Sequence, residues 1–396
     1  MDNRIILHSD MNCFYASCEM KQNPALRIVP MAVVGDSDLS RSHIVLARNE
    51  LAKKAGVKTA EPTFQARDKC PALVTVPPNY GLYSYYSQKA FIMYRQYAKN
   101  VEPYGIDEAW LDLSDDVSIN DLEDGKKVAD EIRSRVKDEL GLTCSVGVSW
   151  NKALAKLGSD YKKPDATTLF TPDNYRDLVW PLPVEELLFV GPSTKRKLHR
   201  INIMTIGQLA ALPLSYIQSY LGQNGTMLWI YANGLDNSPV RSGSEQEYIK
   251  TIGNSVTTRH DMENDKDVWK VFLGLADHVA ARLRRHKVMA TTVQISLRRN
   301  DLSSFERQVK LTYPTDNLMD LAQAAFRLHQ IQYDWILPLR SIGLRACVLI
   351  PTSQHRQITL FDHDFRTDKT LALDKTIDNL RLRFGTDIIT RGLLLG

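Results

Sequence analysis

The feature that most constrains the fold is a pair of apolar segments that each carry carboxylates at one end. Residues 5–7 form an apolar run that leads to Asp10, and a turn at 104–105 leads into Asp107, Glu108 and a second apolar run. Each run has the composition of a buried strand. If the two strands are neighbours in one sheet, three carboxylates meet. Such a concentration of negative charge favours a hard cation such as Mg²⁺, as in two-metal phosphoryl transfer.

Taken singly, each acidic feature has an ordinary structural explanation. An Asp-Glu pair at a hairpin edge is usually a solvated turn, and a carboxylate at the end of a strand often caps a backbone group. The flanking residues favour the functional interpretation. Residues 10–19 are Asp-Met-Asn-Cys-Phe-Tyr-Ala-Ser-Cys-Glu, and residues 105–112 are Gly-Ile-Asp-Glu-Ala-Trp-Leu-Asp. Both segments closely resemble the palm motifs of the Y-family, or translesion, DNA polymerases, nearest the bacterial polymerase IV and V branches.

The resemblance runs over nearly the whole chain and implies an α+β multidomain fold shaped like a right hand. Its expected parts are a ferredoxin-like palm, small fingers, a helical thumb with a helix-hairpin-helix, and a little finger with a second βαββαβ order. The implied domains are the palm at 1–21 and 79–166, the fingers at 22–78, the thumb at 167–235, a linker at 236–248, the little finger at 249–350 and a tail at 351–396.

Hydrophobic patterns agree with this division. With residues 22–78 set aside, strands and helices are predicted in the order βαββαβ from residue 4 to 149, including a helix at 84–99. The fingers are predicted to contain strands at 31–34 and 44–46, and a helix that ends at Gly56. Residues 170–235 are predicted to be helical, and the βαββαβ order returns from 249 to 350.

Composition places the chain among globular proteins with several domains. Its 396 residues are too many for one ordinary core. The content of 43% hydrophobic and 24% charged residues is that of a globular protein. The five cysteines show neither CxxC pairing nor zinc spacing, so we expect reduced thiols in a cytoplasmic protein. No segment has the pattern of a signal peptide or a membrane span.

The resemblance assigns roles to residues around the three carboxylates. Two Mg²⁺ ions, which Mn²⁺ can replace, are expected at Asp10, Asp107, Glu108 and the backbone carbonyl of Met11. Tyr15 lies where the family has an aromatic side chain that excludes a 2′-hydroxyl, a steric gate. The structural alternative is that Tyr15 is only packed, with its hydroxyl paired. The residues expected to bind the nucleotide are Cys13, Phe14, Tyr15, Arg48, Lys53 and Lys163.

The fingers depart from the commoner polymerase IV pattern. Where that branch has Tyr-Glu-Ala-Arg, this chain has Glu-Leu-Ala-Lys at 50–53, so a tyrosine contact to phosphate is missing and Lys53 replaces an arginine. Lysine cannot clamp a phosphate bidentately as arginine does. The preceding Ala-Arg-Asn at 47–49 is instead similar to the polymerase V branch. Lys163, before a proline, is assigned to the triphosphate by the resemblance, although such a lysine is otherwise usually a solvated loop residue.

DNA contacts are expected from two regions. Residues 188–198 and 203–209 resemble a helix-hairpin-helix, in which backbone N–H groups at a helix N-terminus face a phosphate. Phe189 stands in place of the first glycine of the usual turn. Positive charge clusters at 282–299, as on a surface that faces phosphates, although a solvated helix end and a charged hairpin have the same composition. The expected DNA contacts are Gly191, Ser193, Lys195, Arg284, Arg285, Arg298 and Arg299.

The polar tail contains the sequence Gln-Ile-Thr-Leu-Phe at 357–361. It resembles the peptide by which bacterial polymerases dock on the sliding clamp, through Gln357, Leu360 and Phe361. Two adjacent apolar side chains in a polar tail need a pocket, which a partner can supply. The alternative is that the tail folds back on its own chain. A further amphipathic helix is predicted at 371–384 and has no functional explanation.

These observations predict a low-fidelity, template-directed DNA polymerase that extends primers past damaged bases by two-metal nucleotidyl transfer from dNTPs. Its expected partners are primer-template DNA and the sliding clamp, and it is expected to be monomeric. One alternative is a non-catalytic accessory of another polymerase, which binds the clamp and DNA but should have lost the carboxylates. Another is a nucleotide cyclase with a similar palm, which leaves the basic C-terminal region unexplained.

Overall fold

The computed structural model describes residues 4–35, 44–242, 249–353, 368–385 and 388–394. The described residues up to 242 form one unit, and those from 249 onward form a second. Among the described helices, none is both long and apolar enough to cross a membrane.

The N-terminal part of the first unit forms two sheets. A five-stranded sheet has the order β5-β6-β1-β7-β8, and a three-stranded sheet within residues 22–78 has the order β3-β2-β4. In chain order the elements are β1 (Ile6–Met11), α1 (Phe14–Gln22), β2 (Met31–Val34), β3 (Val45–Arg48), α2 (Glu50–Lys54), α3 (Thr63–Lys69), β4 (Val74–Val76), α4 (Tyr80–Tyr94), β5 (Asn100–Pro103), β6 (Glu108–Asp112), α5 (Leu122–Leu140), β7 (Cys144–Ser149), α6 (Lys152–Tyr161) and β8 (Thr167–Leu169).

Strand β1 lies at the centre of the larger sheet. It pairs antiparallel with β6 on one side and β7 on the other, and all of its residues are buried. Leu7 belongs to the core that includes Ile132 of α5, whereas Ile6, on the opposite face, packs with Trp110 and Ala155 of α6. With residues 22–78 set aside, the elements follow the predicted βαββαβ order in a ferredoxin-like sheet, which β8 extends parallel to β7.

Helix α6 lies directly on β7 because Gly147 has no side chain. A Cβ atom at Gly147 would lie 1.9 Å from the carbonyl oxygen of Ala155 and 2.4 Å from the backbone nitrogen of Ser159. The side-chain oxygen of Asn151 caps the start of α6 by accepting the backbone N–H of Leu154 at 2.9 Å. Since this contact is backbone to backbone, it fixes the position of the α6 side chains above the sheet.

Several boundaries differ from the sequence predictions. Helix α4 begins at Tyr80 rather than at residue 84, because the side chain of Asn79 accepts the backbone N–H of Leu82 at 3.0 Å and caps the helix earlier. The sequence did not predict α3 or β4. Strand β4 is three residues long and pairs parallel with β2, and so short a strand has no periodicity of its own to detect.

The rest of the first unit is helical. Leu198, Leu209 and Leu228 are fully buried in one core. Phe189 has a φ of 69°, so the tight turn before the helix-hairpin-helix forms with a left-handed residue although the glycine is missing. Its ring centroid lies 6.3 Å from that of Tyr231. The helices are α7 (Tyr175–Val179), α8 (Pro192–Arg200), α9 (Ile206–Ala210), α10 (Leu214–Leu221) and α11 (Gln223–Ala232), with a 3-10 turn at Val184–Glu186.

The second unit is a four-stranded antiparallel sheet with helices packed on one face. Its strand order is β11-β10-β12-β9, and Phe272, Val293 and Leu321 lie in its core. The βαββαβ element order matches the prediction, but the strand order differs from that of the first sheet. The elements are β9 (Thr251–Met262), α12 (Asp265–Arg285), β10 (Val288–Arg299), β11 (Ser304–Thr315), α13 (Leu318–Gln332), β12 (Leu339–Pro351) and α14 (Asp368–Phe384).

Helix α14 corresponds to the helix predicted at 371–384 and begins at Asp368. Among the described residues, three ion pairs join it to α12. The Nε atom of Arg284 in α12 lies 2.6 Å from Oδ2 of Asp378, and an Nη atom of the same arginine lies 3.5 Å from Oδ2 of Asp374. An Nη atom of Arg381 in α14 lies 2.8 Å from Oδ2 of Asp277 in α12.

We expect Gly147→Ala to destabilise the protein, because the new methyl group would overlap the α6 backbone and overpacking costs about 1–3 kcal/mol or more. The matched control is Gly81→Ala in α4, where an Asn79 oxygen at 3.6 Å is the only atom of the described residues within 4 Å of a new Cβ. Thermal unfolding should show a lower midpoint for Gly147→Ala and an unchanged or slightly higher one for Gly81→Ala. Equal midpoints for the two variants would contradict the backbone contact.

Candidate active site

The sheet register brings the acidic residues of the two apolar segments together. Asp10, near the end of β1, lies directly opposite Glu108, the first residue of β6. Asp107 immediately precedes this pair, and its carbonyl oxygen accepts the backbone N–H of Met11 at 3.1 Å. Directly opposite residues of an antiparallel pair point to the same face of the sheet. Asp10 and Glu108 therefore share the face covered by α6.

The carboxylates lie in a buried and electrostatically unfavourable place. The side chain of Asp10 is 13% exposed. Burial, followed by the charges of Asp10 and Glu108, raises the pKa of Asp107 to about 6. Burial also raises the pKa of Glu108, opposed by its hydrogen bond from Lys156. The raised pKa of Asp107 shows that the protein's own cations do not fully offset the negative charge around it. Such a group of carboxylates fits a site that binds divalent cations.

The ammonium groups of two lysines form ion pairs with the carboxylates. The Nζ atom of Lys163 lies 2.9 Å from Oδ2 of Asp10 and 2.7 Å from Oδ1 of Asp160. Nearby carboxylates raise the pKa of Lys163 against the effect of burial. The Nζ atom of Lys156 lies 3.0 Å from Oδ2 of Asp10 and 2.7 Å from Oε2 of Glu108. Among the described residues, no three His, Cys, Asp or Glu side chains form a ready metal cluster, and Lys156 instead bridges two of the acids.

The sequence alone singles out neither Lys156 nor Asp160, because the pattern of residues 151–157 favours a helix and marks no charged side chain as functional. A signal was present in the sequence, because the residues around Lys156 are apolar or small. The structure buries six of them: Ala153, Leu154, Ala155, Leu157, Gly158 and Ser159. A helix buried on nearly all sides does not leave a lysine without a partner.

His8 is a further buried group that the sequence did not single out. It is 0% exposed, and its Nδ1 lies 2.9 Å from Oγ of Ser159. Since that hydroxyl donates to the carbonyl oxygen of Lys156 at 2.7 Å, Nδ1 must carry the hydrogen. The Nε2 lone pair then points toward Oε2 of Glu108 at 3.5 Å. Burial and the nearby lysines hold the pKa of His8 well below its usual value.

Tyr15 is packed on one side and half-buried. Its ring stacks on that of Tyr83, with centroids 4.2 Å apart and planes 10° apart, and meets the edge of Tyr80. The hydroxyl of Tyr83 donates to Oε1 of Glu19 at 2.6 Å, which fixes the supporting ring. Burial and then the charge of Asp107 raise the pKa of Tyr15. Tyr15 is therefore a rigid aromatic side chain close to the acidic group.

Glu50 of the fingers contacts two of the residues predicted to bind the nucleotide, Lys53 of the fingers and Cys13 of the palm. Its Oε1 lies 3.5 Å from Nζ of Lys53 and 3.5 Å from Sγ of Cys13. Burial and then the charge of Glu50 raise the pKa of Cys13 to about 11. Arg48 donates a hydrogen bond to Thr59, and Phe14 is buried at 3% exposure in the core. The structure thus gathers Cys13 and Lys53 around a carboxylate.

The residues predicted to contact DNA in the first unit lie at one helix start. Gly191 is the N-cap of α8, and Ser193 and Lys195 are in its first turns. The Nζ atom of Lys195 lies 2.5 Å from Oε1 of Glu185 and is 40% exposed.

The predicted DNA contacts in the second unit have different environments. Arg285 and Arg298 are exposed. The guanidinium of Arg299 lies 5.6 Å from the ring centroid of Phe305 and 5.7 Å from that of Tyr333. Arg284 is 12% exposed and is bound to α14 as described above, so its charge is used inside the unit and we remove it from the expected DNA contacts. Gln357, Leu360 and Phe361 lie outside the described residues.

Comparison with known proteins identifies the family. Residues 9–160 match the impB/mucB/samB family, residues 249–360 its C-terminal domain, and residues 186–236 the thumb domain of DNA polymerase iota. DNA polymerase IV of Acetivibrio thermocellus is 44% identical over 99% of this chain and 98% of its own length. DNA polymerase IV 1 of Bacillus subtilis is 38% identical over 99% of this chain and 94% of its own length.

A solved structure supports the same assignment at the level of the fold. A Y-family DNA polymerase chimera matches with a TM-score of 0.77 at 22% identity, over 88% of this chain and 99% of the other. The chain belongs to the Y family of translesion DNA polymerases and is of the DNA polymerase IV type. The predicted right-hand fold and polymerase function are confirmed, and the accessory alternative is not supported.

Proposed function

We propose that the chain extends a primer 3′ end from dNTPs with two divalent ions, Mg²⁺ by preference, at Asp10, Asp107, Glu108 and the backbone carbonyl of Met11. The observation that carries this proposal is the in-register pairing of Asp10 with Glu108 beside Asp107. When bound, the ions activate the primer hydroxyl and stabilise the leaving pyrophosphate. The protein's part is to hold the carboxylate oxygens in a buried, fixed arrangement.

Three cations are proposed to bind the triphosphate. Lys163 is 28% exposed at the edge of the carboxylate group, where its ammonium can also donate to phosphate oxygens. Arg48 is half-buried in β3. Lys53 is 46% exposed, but its charge is partly offset by Glu50 at 3.5 Å. We therefore expect Lys53 to contribute less than a bidentate arginine would at the same place.

Tyr15 is proposed to be the steric gate against a ribose 2′-hydroxyl. A gate needs a large side chain that does not move aside, and the stack on Tyr83 limits the motion of Tyr15. Packing of one face of the ring on Tyr83 supports the proposed gate, because it holds the other, half-buried face in a fixed position.

Primer-template DNA is proposed to contact the thumb at Gly191, Ser193 and Lys195, and the little finger at Arg285, Arg298 and Arg299. These groups are backbone N–H donors at a helix start and cations, which bind phosphates without regard to sequence. Such contacts suit a polymerase that must accept any template.

The carboxylates are tested by primer extension with Mg²⁺ on undamaged and abasic templates. We expect Asp107→Asn and Glu108→Gln each to reduce extension by at least about 10²-fold, since each removes charge where the reaction needs cations bound. Asp112→Asn is the matched control, because this residue lies on the same strand and bonds to Ser114 at 3.0 Å. Wild-type activity in either acidic-site variant would overturn the proposal.

The gate is tested by the ratio of kcat/KM for a deoxynucleotide to that for the matching ribonucleotide. Tyr15→Ala should lower this ratio by about 10- to 100-fold, the equivalent of the 1–3 kcal/mol that steric overpacking costs. Tyr85→Ala, an exposed tyrosine on α4 in edge contact with Tyr86, should leave the ratio unchanged. An unaltered ratio in Tyr15→Ala would assign the gate to another residue.

Gln357, Leu360 and Phe361 are proposed to dock on the sliding clamp, because the sequence places two adjacent apolar side chains after a glutamine in a polar segment. Changing Leu360 and Phe361 to Ala should abolish stimulation by the clamp and spare synthesis without it, since buried anchors at interfaces carry about 2 kcal/mol or more each. Thr359→Ala is the control within the same peptide. Full stimulation of the double variant would exclude this peptide as the anchor.

A further inference from the structure

Lys156 makes direct bonds to the two carboxylates that face each other across β1 and β6. Its Nζ atom is 3.0 Å from Oδ2 of Asp10 and 2.7 Å from Oε2 of Glu108. All three side chains are largely buried, with exposures of 14% for Lys156, 13% for Asp10 and 18% for Glu108. At this depth a cation between two anions has a large effect, because water screens the charges little.

The position of Lys156 is fixed by the backbone of α6. Gly147 lets the backbone of α6 lie directly against β7. One turn later, Ser159 receives the hydrogen of His8 Nδ1 and donates its own to the carbonyl oxygen of Lys156. Lys156 donates the hydrogen bond that Oε2 of Glu108 accepts at 2.7 Å.

Lys156 also has a second acidic neighbour. Asp160, four residues later on the same helix, places Oδ2 3.3 Å from its Nζ atom and is 40% exposed. Asp160 is not one of the proposed metal ligands. The ammonium group can therefore keep a partner when Asp10 and Glu108 have another.

We propose that Lys156 is a positioning residue that holds Asp10 and Glu108 together and competes with divalent cations for their oxygens. The inference rests on the proposed function, since these carboxylates are the assigned ligands. Competition with Lys156 weakens the binding of a divalent ion that arrives alone, because the ion must overcome the charge of the ammonium group. An ion that arrives with a nucleotide triphosphate brings negative charge that offsets this cost.

The test is the response of the full-length protein to Mg²⁺ alone, without DNA or nucleotide. Thermal unfolding is followed after EDTA treatment and then across a Mg²⁺ titration. Lys156→Met should unfold several degrees below the wild type in EDTA, because two buried carboxylates lose their shared counter-ion. Its apparent affinity for Mg²⁺ should be about tenfold higher than that of the wild type, because a competing charge is gone. Lys156→Arg should keep the wild-type affinity.

Lys152→Met is the matched control on the same helix. Lys152 is 13% exposed, bonds to Glu102 at 2.7 Å and lies 4.4 Å from the ring centroid of Trp110. Its loss should also lower the unfolding temperature in EDTA, but it should leave the affinity for Mg²⁺ unchanged. A purely structural lysine at position 156 would give the same pattern as Lys152→Met, and that result would overturn the inference.

Other outcomes are also decisive. If Lys156→Met does not fold in EDTA, recovery of the folded protein on adding Mg²⁺ supports the inference, and failure to recover contradicts it. Tight Mg²⁺ binding by Lys156→Arg would show that charge is not the cause. The combination of Lys156→Met with Asp107→Asn and Glu108→Gln should show no Mg²⁺ response. Primer extension tests the proposed function separately, so either result can fail without the other.

Discussion

The site depends on the antiparallel pairing of β1 with β6. Side chains alternate along a strand, so a slip of one residue would move Asp10 to the other face of the sheet. In the register observed, Ile6 and Trp110 face α6 and pack against Ala155, while Asp10 and Glu108 face the same helix at the end of the strands. One strand face thus changes from apolar to acidic along its length. The apolar end supplies the stability that keeps the acidic end in place.

The sequence predicted the strands, their acidic ends and the element order, because hydrophobic alternation and turns are local signals. It did not predict the groups that meet the carboxylates from elsewhere. Lys156 becomes part of the site only because α6 lies on β7, and that contact depends on Gly147, which carries no pattern of its own. Arg284 was misjudged for the same reason. Its cluster of charge suggested a phosphate surface, whereas Asp378 on a distant helix binds it.

Element order alone also did not determine where a buried site could form. Both sheets have the order βαββαβ, yet the first strand is central in one and at the edge in the other. Every residue of β1 is buried, whereas β9 is mostly exposed or half-buried. The composition of the strands reflects this difference, since β9 is rich in Thr, Ser and Asn. Asp261, the next-to-last residue of β9, is only half-buried, whereas Asp10, the next-to-last residue of the central strand β1, is buried beside a low-dielectric core.

Two residues of the fingers that differ from the commoner polymerase IV pattern also change the local charge. Relative to the commoner polymerase IV pattern, a tyrosine is replaced by Glu50 and an arginine by Lys53, and the structure places the two side chains 3.5 Å apart. The change from arginine to lysine keeps the charge, whereas the change from tyrosine to glutamate adds one negative charge beside the lysine. Both side chains are more than 40% exposed, so the pair adds little stability. Its effect is expected on binding, because a lysine that shares its charge with a carboxylate attracts phosphate less than a free arginine does. If the proposed triphosphate site is correct, Lys163 and the divalent ions supply more of the attraction.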